Sequence, residues 1–137
     1  MSLFNVFDVA GSAMNAQSLR MNVTASNLAN AGNVSGDPDK VYRARQPVFS
    51  SFSTSLADQT GVAGVKLDGV VESAAPLQLR YQPDHPEADA DGNVYVTNVN
   101  TVEEMVNMMS ASRSYKNNVE MITTTKDLLL QTLSLGR

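Results

Sequence analysis

The residues best suited to chemistry lie in one stretch, 84–93, which holds the only histidine and the densest group of carboxylates. His85 follows Asp84, and a histidine beside a carboxylate is a pairing used in general acid–base catalysis. A hydrolase would also need a nucleophile, and the sequence has no serine in a Gly-x-Ser-x-Gly turn. We therefore expect a loop histidine between acidic neighbours, and no catalytic site.

A metal site is the second possibility in the same stretch. Asp89, Asp91 and Asn93 have the alternate spacing of the first ligands in a calcium-binding loop. The glycine of such a loop follows the third ligand, whereas Gly92 precedes it, and the twelfth position is Asn100 instead of glutamate. We therefore expect a polar turn ahead of a strand, with no metal and no cofactor.

The composition excludes several classes of function. The 137 residues include fourteen acidic and ten basic ones, a net charge of −4 that argues against nucleic-acid binding. The absence of cysteine excludes disulfides and thiolate chemistry. The first basic residue is Arg20 and no long apolar run follows it, so we expect neither a cleaved signal peptide nor membrane insertion.

Two long proline-free segments, residues 3–31 and 102–135, flank all five prolines. As helices they would span roughly 40–50 Å, so we expect them to pack against each other and against other chains. The C-terminal segment predicts a coiled-coil seam, because apolar residues recur at alternating steps of three and four. Methionines at this spacing indicate packing and not a soft-metal site. The seam positions are Met105, Met108, Ser112, Tyr115, Val119, Ile122, Lys126, Leu129 and Leu133.

The N-terminal segment has the same spacing in a weaker form. Only Asp8 and Arg20 are charged before residue 31, whereas a surface helix normally carries several charges on its outer face. Either other protein covers this face, which we favour, or the helix is an ordinary soluble one with few charges. The repeating positions are Phe7, Ala10, Met14, Gln17, Met21, Thr24 and Leu28.

The middle of the chain predicts short strands and turns, so the fold class is α+β. Residues 50–60, rich in serine and threonine, predict a loop. Gly64 and Gly69 predict a bend within one strand. Alternating patterns place strands at residues 41–45, 62–71, 77–81 and 94–96.

Both ends of the chain resemble bacterial flagellar rod and hook proteins. The likeness rests on QSLRM at 17–21, ASNLANA at 25–31 and VNTVEEMVNMMSASRSYKNN at 99–118. The overall length is that of the short proximal-rod members, which three further stretches also resemble: residues 7–12, 84–92 and 132–136. The family-motif positions are Asn27, Leu28, Ala29, Asn30, Arg113 and Tyr115.

The resemblance implies both a fold and a role. Long N- and C-terminal helices, within residues 1–33 and 99–137, would pair as a coiled-coil-like inner domain. Residues 34–98 would form a small β-rich outer domain with a loop at 50–60. The role implied is a structural, non-enzymatic subunit of the proximal rod, which assembles helically and transmits motor torque across the periplasmic space.

The resemblance also implies partners and an export route. The partners are further copies of this chain, the rod proteins FlgB, FlgF and FlgG, and the base adaptor FliE. Subunits of this kind pass unfolded through the flagellar type III export apparatus. Phe52 and Leu56 fit a short, unspecific Phe-x-x-x-hydrophobic export pattern. Two alternatives stay open: another short axial protein of the FlgB type, or a coiled-coil adaptor or export chaperone.

Two sets of residues follow as site predictions. Asn27 and Asn30 are expected to hydrogen-bond backbone at the end of the first helix, near Gly32, and to turn the chain outward. The helix-packing and subunit-packing residues are expected to be Phe7, Met14, Met21, Leu28, Met105, Met108, Tyr115, Val119, Ile122, Leu129 and Leu133.

Overall fold

The computed structural model describes residues 3–53 and 63–135 of the chain. It has a long helix at each end and short antiparallel strands between them, so the predicted α+β class is confirmed. The elements in chain order are α1 (Leu3–Ala29), β1 (Val34–Ser35), β2 (Arg45–Ser53), β3 (Ala63–Glu72), β4 (Gln78–Tyr81), β5 (Asn93–Val96) and α2 (Thr101–Leu135).

Local sequence signals set the ends of both helices. Before α2, the Asn100 side chain caps the helix by accepting hydrogen bonds from the N–H groups of Val102 (3.1 Å) and Glu103 (3.3 Å). At its C-terminal end, α1 finishes with a hydrogen bond from the Asn30 N–H to the Ser26 carbonyl. The helices contain 27 and 35 residues, close to the predicted lengths.

The interface between α1 and α2 combines small buried side chains with larger half-buried ones. Ala10 is buried on α1, and Ala111 and Thr125 are buried on α2. Side chains of this size allow two helix axes to come within about 8 Å. Among the described elements α2 packs only on α1, so the rest of its surface is free.

The hairpin of β2 and β3 lies along α1. The Asn27 side chain bonds to the backbone of Arg45, the Arg20 guanidinium lies 5.6 Å from the centre of the Phe49 ring, and Ser12 accepts a bond from Val65. The helix therefore carries α2 and the hairpin on two of its sides. The exposed positions of α1 form a narrow stripe: Asp8, Asn15, Asn22, Ala25 and Ala29.

The glycine prediction for β3 agrees with the structure. The pairing register of β2 and β3 shifts between Val48 and Phe49, opposite Gly69 and Leu67, which bends the hairpin at a bulge. Gly64 lies so close to its surroundings that a Cβ there would be 2.8 Å from the Phe52 ring and 3.1 Å from the Ser12 hydroxyl.

A second, three-stranded sheet has the order β1-β5-β4, with both pairs antiparallel. Its centre is Val94, which is fully buried on the middle strand. The strands predicted at 77–81 and 94–96 correspond to β4 and β5. Leu79 and Tyr81 on β4 are more than half exposed.

The strand predicted at 41–45 is wrong for residues 41–44. The backbone of this segment bonds to side chains and not to a neighbouring strand. The Tyr42 N–H donates to Asn33 Oδ1 (3.0 Å), and the Ala44 N–H donates to Asn98 Oδ1 (2.7 Å). The strand begins only at Arg45 and continues through 50–53, where a loop was predicted. The rest of the predicted loop, 54–60, lies outside the described residues.

Candidate assembly surfaces

The acidic stretch at 84–93 is a structural turn, as predicted. Asp89 Oδ1 accepts hydrogen bonds from the N–H groups of Asp91 (2.9 Å) and Asn93 (2.8 Å), so its carboxylate is used to fold the backbone. Gly92 has a φ of 76°, which glycine adopts without strain. His85 Nδ1 accepts a bond from the N–H of Glu87 (3.1 Å). In the described ranges, no group of three or more acidic or histidine residues could hold a metal ion.

Asn27 joins α1 to the start of the hairpin. Its Nδ2 donates to the Arg45 carbonyl at 2.8 Å, and its Oδ1 accepts from the Arg45 N–H and the Tyr42 hydroxyl, both at 2.9 Å. The residue is only 1% exposed, and all three bonds are partly buried. The amide thus bonds to both backbone groups of Arg45, as a residue of a neighbouring strand would.

The two asparagines of the family motif therefore have different roles. Asn30 Nδ2 donates to the Ser26 carbonyl at 2.8 Å and so bonds backbone at the helix end, as predicted. Asn27 bonds a segment 18 residues further along the chain and does not contact the helix end. Asn98 completes this junction from the other side by donating to the carbonyl of Ala75 (2.9 Å) while it accepts from Ala44.

The seam predicted on α2 divides between two surfaces. Met108, Tyr115, Ile122 and Leu129 are half-buried on the side facing α1. The other predicted seam positions, such as Met105 and Val119, do not lie between these four residues on the side facing α1. The residue directly before each of them lies there instead. Of those residues, Glu104, Ala111 and Thr125 are buried and Asn118 is half-buried.

Large apolar side chains cover much of α2 away from α1. Met105, Val119 and Leu133 of the predicted seam belong to this surface, with exposed fractions of 48%, 42% and 69%. We call it the outer surface of α2, and it consists of Val102, Met105, Val106, Met109, Val119, Met121, Leu128, Leu130, Leu133 and Leu135. Large exposed apolar side chains in such numbers are typical of interaction sites.

The other predicted site residues occupy intermediate positions. Phe7, Met14, Met21 and Leu28 on α1 are half-buried. Of the remaining motif residues, Arg113 is exposed, Tyr115 is half-buried and Ala29 is exposed. Phe52 is 37% exposed at the distal part of β2, and Leu56 lies outside the described residues.

Sequence reasoning missed three polar residues: Asn98 and Asn100, which precede α2, and Glu104 in its first turn. Asn100 could have been found, because an asparagine directly before a helical pattern is a capping signal. The contacts of Asn98 join distant segments and have no local signal. Neither described helix is long and apolar enough to cross a bilayer.

Comparison with known proteins gives the same family at both ends of the chain. Residues 7–36 match the family model described as "Flagella basal body rod protein", and residues 90–135 match "Flagellar basal body rod FlgEFG protein C-terminal". Proteins named "Flagellar basal-body rod protein FlgC" are similar over 100% of both chains. Identity is 53% for the one from Escherichia coli O6:H1, 52% for Salmonella typhimurium and 50% for Yersinia enterocolitica. On this full-length similarity, the chain belongs to the FlgC family of flagellar basal-body rod proteins.

Proposed function

We propose that the chain is a structural subunit of the proximal rod of the flagellar basal body. Its family supports a role as a rod component that assembles with other rod components. The observation that carries the proposal is the outer surface of α2, which residues 3–53 and 63–135 leave uncovered.

Burial of that surface would supply the free energy of assembly. Each large apolar side chain that becomes fully buried contributes roughly 1.5–3 kcal/mol before the costs of association are subtracted. The surface belongs to α2, whereas the hairpin packs on α1. A contact between unlike surfaces repeats without closing when its rotation does not complete a ring, and it then gives a helical tube. Such a tube would transmit torque along its axis.

The finer assignments follow from the same proposal. Residues 1–33 and 99–137 would form the inner domain and 34–98 the outer one. Neighbours in the rod would be further copies, FlgB, FlgF and FlgG, with FliE at the base. The subunit would reach the periplasmic space through the type III export apparatus, with Phe52 and Leu56 as a candidate export motif.

The chaperone alternative is less well supported. A coiled-coil chaperone that works as a free monomer or dimer should have a charged exterior on its helices. Here the exposed stripe of α1 has a single charge, Asp8, and α2 exposes ten large apolar side chains.

The proposal is tested by changing the outer surface of α2 without disturbing its contact with α1. Met105→Gln combined with Met109→Gln should abolish swimming when the variant replaces the wild-type chain in its own bacterium. The circular dichroism of the purified variant should remain that of the wild type, because both side chains are exposed. Glu120→Gln, an exposed change on the same helix, is the matched control and should swim normally.

Normal swimming of the double variant, with rods of normal length in electron micrographs, would contradict the proposed surface. A wild-type chain that is exported but absent from purified basal bodies would contradict the rod assignment itself.

A further inference from the structure

A groove runs along the first half of α2, beside the contact of this helix with α1. Its volume is about 700 Å³, and its lining residues lie three and four positions apart, so they share one face of the helix. Three methionines give the groove an apolar floor, and two basic residues lie at its C-terminal end. The lining residues are Met105, Met108, Met109, Ser112, Arg113 and Lys116.

The two basic residues of the groove have no partner within the subunit. Arg113 and Lys116 are exposed, and over residues 3–53 and 63–135 neither forms an ion pair or a side-chain hydrogen bond. Glu120, one turn beyond Lys116, does not line the groove. Methionine sulfur packs favourably on aromatic rings, and opposite charges align two surfaces. A matching occupant therefore has an aromatic ring with carboxylates beside it.

The connection between β4 and β5 has these features, and we call residues 81–91 the acidic turn. Tyr81 is 70% exposed, more than any other aromatic side chain whose exposure the structure describes. It lines a shallow depression together with Asp84. Asp84, Glu87 and Asp91 are all exposed, and in the described part of the chain none of their carboxylates has an ion-pair or hydrogen-bond partner.

Within one subunit the acidic turn and the groove do not meet. The turn is held by β4 and β5, and neither strand contacts α2. Arg80, the base nearest to the turn in sequence, alternates with Tyr81 along β4 and so lies on the other face of the strand. The complementary charges of the two surfaces can therefore pair only between copies of the chain.

We propose that the groove of one subunit receives the acidic turn of a second copy of this chain. The Tyr81 ring would lie on the methionines, and Asp84 and Glu87 would face the two bases of the groove. The proposal rests on the proposed function, because it names the neighbour that covers part of the outer surface of α2. The two surfaces are unlike, so the contact can repeat from copy to copy without closing.

The first test is a disulfide between the two surfaces. The chain has no cysteine, so every disulfide must use an introduced residue. Ser112→Cys in the groove and Pro86→Cys in the acidic turn should link when their Cα atoms lie within about 7 Å. After oxidation of purified basal bodies, we expect the double variant to give dimers, trimers and longer species on non-reducing gels. Each single variant is a control and should remain monomeric.

The rival occupant of the groove is the exposed stripe of α1 of a neighbour. Asn22→Cys, on that stripe, is therefore combined with Ser112→Cys and should give no ladder. A ladder from this second pair, or none from the first, would overturn the proposal. Disulfides to a different protein, or species that stop at dimers, would do the same.

The second test reverses the charges of the two surfaces. Arg113→Glu combined with Lys116→Glu should lower incorporation into basal bodies about tenfold, because like charges then face each other. Asp84→Lys combined with Glu87→Lys should have the same effect. All four changes together restore opposite charges and should return incorporation to within about threefold of the wild type. Lys126→Glu, about 15 Å further along α2, is the control and should be incorporated normally.

The circular dichroism of the purified charge variants should remain that of the wild type, because all four side chains are exposed. Normal incorporation of either reversed pair, or no recovery in the combined variant, would contradict the contact and leave the rod function standing. Failure of the wild-type chain to enter basal bodies would contradict the rod function instead.

Discussion

Asn27 shows how a single residue can determine the relation between two parts of this molecule. Val94 and Asn27 are the largest described side chains that are fully buried, and the other buried side chains are alanine, valine, threonine, Ser35 and Glu104. The amide of Asn27 bonds to both backbone groups of Arg45. The sequence indicates that Asn27 belongs to a motif, but not which segment it bonds.

Asn27→Ala should therefore destabilise the purified chain by about 2–3 kcal/mol, because it removes three partly buried hydrogen bonds. Urea unfolding followed by circular dichroism measures this change. Asn22→Ala is the control on the same helix, where the side chain is exposed and stability should stay within about 0.5 kcal/mol of the wild type. Equal stability of the two variants would show that the hydrogen bonds of Asn27 add nothing to the free energy of unfolding.

Gly36 lies against the backbone of residues 87–89, where a larger side chain would not fit. A Cβ at this position would lie 2.6 Å from the Glu87 carbonyl oxygen and 3.1 Å from the Asp89 nitrogen, both of which are backbone atoms. Gly36→Ala should cost about 1–3 kcal/mol, since the turn at 87–89 must move. Gly32→Ala, with open space around it, should have little effect on thermal unfolding. A large loss for both would point to helix-end geometry and not to this contact.

At the scale of elements, α2 has two different surfaces. The predicted period was correct, because the side facing α1 does follow alternating steps of three and four. The prediction missed that small and polar residues supply half of that side. Hydrophobicity alone ranks Met105 above Glu104 as a contact residue, yet Glu104 is buried and Met105 is exposed. Which of two neighbouring residues of α2 faces α1 depends on the side chains of α1. The local sequence pattern of α2 carries no information about them.

This division predicts opposite effects for two substitutions on α2. Ile122→Ala removes a side chain that is half-buried against α1 and should lower the free energy of unfolding by about 1–2 kcal/mol. Val119→Ala, three residues earlier on the outer surface, should change it by less than about 0.5 kcal/mol. In a sedimentation assay of assembled rods, Val119→Ala should nevertheless weaken assembly. A Val119→Ala variant less stable than Ile122→Ala would reverse the assignment of the two surfaces.

At the scale of the whole molecule, this chain buries less surface than its size allows. Its accessible surface is 9261 Å², against roughly 6,900 Å² for a compact monomer of 14.7 kDa. The sequence predicted this property from the length of its two helices, which we expected to pack against other chains. It could not predict the course of the hairpin along α1, because the contacts of Ser12 and Arg20 with the strands join residues distant in sequence.

The extent of burial along α2 predicts a gradient in hydrogen exchange for the isolated subunit. Thr125 is the last buried residue in the described part of α2, and from Leu130 onwards the leucines are exposed. Amides at 130–135 should exchange much faster than those at 104–125, because the side chains that lie against α1 end at Leu129. Incorporation into a rod should protect the last turns. Mass spectrometry after timed exchange measures both states, and uniform protection along the isolated helix would contradict the expectation.

The three attachments of the hairpin to α1 have a mechanical consequence. Asn27, Arg20 and Ser12 hold the strands at points spread over about 22 Å of the helix. A hairpin fixed at one point could pivot like a hinge, whereas one fixed at three cannot rotate without bending the helix as well. A twisting force on the hairpin would therefore be shared along the length of α1, and the subunit would respond as a stiff beam.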